Sequence, residues 1–140
     1  MSFSILEHSD TSRALPEAFF SIAEKTHALT PWREQESKPQ TQWLFSSEHS
    51  FYQEGQSWIG IIPDIARVAC FIHPSYDDQQ SVAYFGYWET LNNLDANRYL
   101  FQRMEQWAKA RGVNTIKGPV CFSTSGQYRL RLDHFHEPTF

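Results

Sequence analysis

Val82-Ala83-Tyr84-Phe85-Gly86-Tyr87-Trp88, followed after Glu89-Thr90 by an amphipathic stretch and then Thr115-Ile116-Lys117, decides how this chain folds. The first run is aromatic and apolar, as a buried or half-buried strand should be. Asn92 or Asn93 then caps a helix. Its inward stripe is Asn97, Leu100, Phe101, Met104, Trp107 and Ala108, at spacings of three and four. Lys109 and Arg111 suit its last turn, and Gly112 supplies the left-handed residue that ends it. Thr115-Ile116-Lys117 is a second strand, stopped by Gly118-Pro119. Strand, helix and strand in this order make a right-handed crossover between parallel neighbours.

Upstream, Phe3 to Leu6 reads as a first, edge strand, and Pro16 to Leu29 as a helix with Phe19, Phe20, Ile22, Ala23 and Thr26 on one side. Pro16 fits the first turn. Thr30-Pro31 breaks that helix, and the polar stretch from Trp32 to Gln42 reads as loop or short broken helices. Trp43-Leu44-Phe45-Ser46, Trp58 to Ile62 and Arg67 to Ile72 read as strands, with a turn at Glu54-Gly55-Gln56 and a stop at Pro63. His73 to Gln80 is a polar loop. Successive strands on short links predict an antiparallel meander feeding one crossover. The expected class is α+β: a mixed, mostly antiparallel sheet flanked by helices, in a single domain over residues 1–140.

Composition narrows the function classes. The net charge is −4 and Lys and Arg are scattered, which leaves no footprint for a nucleic-acid backbone or an anionic membrane. No apolar run approaches the ~18 residues that span a bilayer, and no export signal is evident, so the cytoplasm is the expected compartment. Two cysteines, Cys70 and Cys121, do not imply a disulfide in such a setting, and buried free thiols are expected. Aromatic residues make up 16%; a large set of core residues accounts for most of them, and some are expected to line a ligand slot or a partner surface in a domain with limited interior.

Four stretches resemble bacterial members of the GNAT N-acetyltransferase superfamily. These are Ala66-Arg67-Val68-Ala69; Tyr84-Phe85-Gly86-Tyr87-Trp88-Glu89; Trp107 through Gly112; and Gly118-Pro119 with Gln127-Tyr128-Arg129 and Glu137-Pro138-Thr139-Phe140. The resemblance covers roughly the second half of the chain. It implies an acyl-CoA N-acyltransferase fold that, relative to the family, lacks its last helix and closing strands, and hence either a fragment of a longer protein or a short member whose sheet a homo-oligomer or partner subunit completes. It further implies that acetyl-CoA or another acyl-CoA lies where the fourth and fifth strands part, along Tyr87, Trp88, Asn92 and Asn93. The diphosphate would rest on amides opening the crossover helix. This sequence departs from the family there, because Thr90-Leu91-Asn92-Asn93-Leu94-Asp95 contains neither the leading Arg or Gln nor the spaced glycines, and Asp95 adds a negative charge.

Glu89, at the end of the central strand, is the candidate base for a small-molecule amine, with its carboxyl flanked by Tyr87 and Trp88. Capping or solvation explains the same residue without chemistry. Tyr128 is the candidate acid for the departing thiolate, as the resemblance implies. Arg129 and Arg131 leave one face of a strand and could meet an anionic substrate. His134 and His136 share a side but have no third ligand, so no metal site is expected. His73 with Asp77 and Asp78, and Ser123-Thr124-Ser125-Gly126, read as polar turns. Two functions follow: an acyl-CoA-dependent N-acyltransferase, or a non-catalytic module that keeps the fold for binding or assembly.

Overall fold

The computed structural model describes residues 3–27, 38–74 and 82–118. Its architecture is α+β, a five-stranded mixed sheet with three helices. In chain order the elements are β1 (Leu6–His8), α1 (Glu17–His27), α2 (Lys38–Leu44), a short 3-10 helix (Ser50–Gln53), β2 (Gln56–Ile62), β3 (Ala66–Ile72), β4 (Val82–Thr90), α3 (Leu94–Lys109) and β5 (Thr115–Lys117). Spatial order follows sequence order. The pairs β1–β2, β2–β3 and β3–β4 are antiparallel, and β4–β5 is parallel with α3 as the crossover.

The sheet is covered on both faces, which is why β2 and β3 are apolar almost throughout rather than alternating. Trp58, Ile62, Ala66, Val68, Cys70 and Ala83 face α3, where they meet Ala96, Leu100, Met104 and Ala108. Ile59, Ile61, Ala69 and Phe71 face the other way, toward Phe19 and Phe20 of α1 and toward Phe45. Each fully buried side chain of this size contributes about 1.5–3 kcal/mol. Cys70 lies wholly within the first layer, and burial pushes its thiol up to about 12, so it stays protonated and inert.

Helix α3 is set as its sequence predicts. The Asn93 side chain accepts from the Ala96 amide at 3.0 Å, and Gly112, at φ +84°, turns the chain after Lys109. Two boundaries differ. Trp43-Leu44-Phe45-Ser46 is not a strand, since Trp43 and Leu44 close α2 and the Phe45 amide donates to Thr41 O at 3.2 Å. Pro39 stands at the second position of α2, where no backbone N–H is required, so it starts a helix instead of breaking one. Thr41 and Phe45, four apart, are the buried residues. Gln42 fixes this helix against the chain before α1, accepting from Leu15 N at 2.8 Å. The first strand is Leu6–His8 rather than Phe3 to Leu6, because Leu6 pairs with Ile61 and the ladder runs out at Ile62.

Gly60 shows how closely α3 approaches. A Cβ there would collide with the Trp58 indole and stand 2.9 Å from Leu100 Cδ1. Trp58 therefore lies flat over its own strand, its Nε1 donating to Glu7 Oε1 at 3.0 Å. Gly60→Ala is expected to lower stability by about 1–3 kcal/mol through overpacking, measured by urea denaturation.

Candidate functional site

Strand β4 carries one more residue than β3 requires. Ala69 pairs with Gly86 and Arg67 with Glu89, so two steps on β3 span three on β4, a bulge opposite Val68. Tyr87 takes up the excess at φ +54°, a left-handed conformation that costs a non-glycine residue about 1–2 kcal/mol. The bulge resets which side chains face which layer. Ala83 and Phe85 belong to the α3 side. Unbroken alternation would put Tyr87 there as well. Instead its ring lies on the α1 side, 6.0 Å from Phe19 and 5.1 Å from Phe45, and Trp88 turns toward α3, 5.3 Å from Phe101.

Arg67 sits under the bulge and is 1% exposed. Its Nε donates to Tyr87 O at 2.9 Å and its Nη1 to Phe19 O at 2.6 Å. Its guanidinium carbon is 4.1 Å from the centre of the Phe19 ring. Bonds to two carbonyls and contact with a ring face offset part of the cost of burying a cation.

A second knot ties the end of β4 to the start of α3. Asn97 Oδ1 accepts from Trp88 Nε1 at 3.0 Å, and Asn97 Nδ2 donates to Thr90 Oγ1 at 2.7 Å and to Asn93 O at 2.9 Å. The carboxamide thus uses both donors and its acceptor. Beside it opens a groove of about 560 Å³, lined by Trp88, Leu91, Asn92, Leu94, Arg98 and Phe101 among others. The exposed Leu91 and Leu94 give it an apolar rim. Among the described residues, Gly86 to Thr90 has no strand beside it on the β5 side, because parallel pairing ends at Tyr84 and Lys117.

Of the residues singled out from sequence, Trp88, Asn92 and Asn93 come together on this groove. Tyr87 lies across the sheet among the α1 aromatics. Glu89 stands opposite Arg67 in the ladder, and partners so paired share a face, so its side chain leaves on the α1 side. Trp88, turned away to Asn97, does not flank it. Tyr128, Arg129 and Arg131 lie outside the described residues, as do Cys121, residues 123–126, His134, His136, Asp77 and Asp78. Among the described residues no cluster of His, Cys, Asp or Glu could hold a metal ion. No helix there is long and apolar enough to cross a membrane.

Sequence reading gave Arg67 no role beyond its place in a strand motif, and Asn97 only a place in the stripe. Both carried a signal. Arg67 is the single charge in Ala66–Ile72, and Asn97 is a polar residue on an inward face, where a half-buried amide still calls for partners.

Comparison of the chain with protein-family models, curated proteins and solved structures finds no match. Asn97→Ala is expected to cost about 1–3 kcal/mol in urea denaturation, because it strands the Trp88 indole N–H and frees the end of β4 from α3.

Proposed function

We propose that this chain is an acyl-CoA-dependent N-acyltransferase-like domain of the GNAT type, moving an acyl group from CoA to an amine by direct attack. One observation carries the reading: the half of β4 that extends past the described β5 is bulged, and it ends at a groove beside the first turn of the crossover helix. A bulge interrupts the ladder and re-aims backbone groups, so strand amides become available to polarise a thioester carbonyl. The apolar wall of Trp88, Leu91 and Phe101 suits the pantetheine arm, and Arg98 at the rim offers a cation to the phosphates.

In this scheme the thioester lies against β4 and the amine approaches from the α1 side. The amine nitrogen bonds to the carbonyl carbon, the C–S bond breaks, and CoA leaves as a thiolate. Glu89, on that face, takes the proton that the nitrogen sheds. Tyr128 is the candidate that returns a proton to sulfur. Positioning supplies most of the rate.

A different observation favours the non-catalytic module. The Asn93 carboxamide already occupies the Ala96 amide, and Asp95 sits in the first turn, so the helix opening is partly satisfied by the chain itself.

Calorimetric titration with acetyl-CoA and longer acyl-CoAs separates the two. Saturable binding with a micromolar or tighter Kd is expected; folded protein that gives no heat at any concentration selects the module. Given binding, CoA release is assayed against a panel of amines. Glu89→Gln should lower kcat on the active amine by roughly 10²-fold or more while the melting temperature barely moves. A large drop in melting temperature would give Glu89 a structural role instead.

A further inference from the structure

We propose that Arg67 is the positioning residue of this site: it holds the β4 bulge and so determines that Trp88 faces the groove while Glu89 faces the opposite side. The inference rests on the acyltransferase reading for its catalytic consequence, but not for its geometry. Tyr87 adopts a conformation that side chains avoid, and its carbonyl is held by Arg67 Nε at 2.9 Å. The same guanidinium bonds Phe19 O at 2.6 Å, so the bulge is referred to helix α1 rather than left to β4 alone.

Removal of the extra residue from the ladder would restore simple alternation beyond Phe85. Tyr87 and Glu89 would then point to α3, and Trp88 to α1. The Trp88–Asn97 bond would be lost and the candidate base would change face. A residue that never touches substrate thus controls the side on which chemistry takes place. Arginine suits the task because its planar fork sends two donors to two separate carbonyls, whereas a lysine keeps the charge but offers a single ammonium point.

The test is Arg67→Lys in the full chain. The Trp88 indole N–H resonance, assigned with Trp88→Phe, is followed in ¹⁵N-correlated spectra, and CoA release from acetyl-CoA is measured with the amine found active in the panel. The substitution is expected to move or broaden the Trp88 resonance and to lower kcat at least tenfold, with the KM for acetyl-CoA changed less than threefold. An unmoved resonance with kcat within twofold of wild type would overturn the proposal. If the wild type neither binds nor turns over acyl-CoA, the acyltransferase reading falls by itself, and the resonance alone decides the role of Arg67. Should the variant not fold, the wild type still decides. Its Arg67 Nε–H must resist exchange with deuterium as the core amides do, and fast exchange would overturn the proposal.

Discussion

A cation enclosed within the sheet is the constraint on which the rest of this structure depends. An isolated guanidinium taken out of water costs far more than any single contact returns, so its surroundings must be built around it. Here they are drawn from two layers. Helix α1 contributes the Phe19 carbonyl and ring, and β4 contributes the carbonyl of its bulge. The left-handed Tyr87, the docking of α1 and the aromatic packing of Phe19, Phe45 and Tyr87 are therefore one arrangement, not three. Each would be strained or unsatisfied without the others.

On the other face, Asn97 does for the end of β4 what Arg67 does for its middle. Its three bonds converge from a strand indole, a strand-end hydroxyl and the capping residue of α3. Groups held this way are oriented before any ligand arrives, which is the condition under which polar groups contribute most to recognition. The groove beside them is consequently a product of how strand and helix are joined.

Much of this was legible in the amino-acid sequence wherever one period ran long enough. Helix α3 shows about three turns of stripe, a cap and a terminating glycine, and its bounds followed. The meander of β2, β3 and β4 was equally plain from apolar runs between turns. Helix α2 was not, because seven residues with a proline and a tryptophan satisfy neither period well, and tertiary contacts such as those of Gln42 with Leu15 and Lys38 with Glu17 decide the outcome. The site was half visible. Trp88, Asn92 and Asn93 were placed by their position between strand and helix. The bulge could not be foreseen, since Gly86-Tyr87 is compatible with an unbroken strand. Glu89 and Trp88 were expected to be neighbours in space because they are neighbours in sequence, whereas successive residues of a strand leave on opposite faces.

Among the described residues β1 carries no strand on its outer side, and this has a bearing on how the protein behaves in company. That side offers only three residues, and the middle one, Glu7, is engaged by Trp58 Nε1 and by Arg103 Nη2 at 2.7 Å. A strand from another molecule would find little backbone to extend along and a fixed charged cluster beside it. Such an edge resists runaway sheet growth, so the β1 margin guards an otherwise aromatic-rich chain against fibrous self-association.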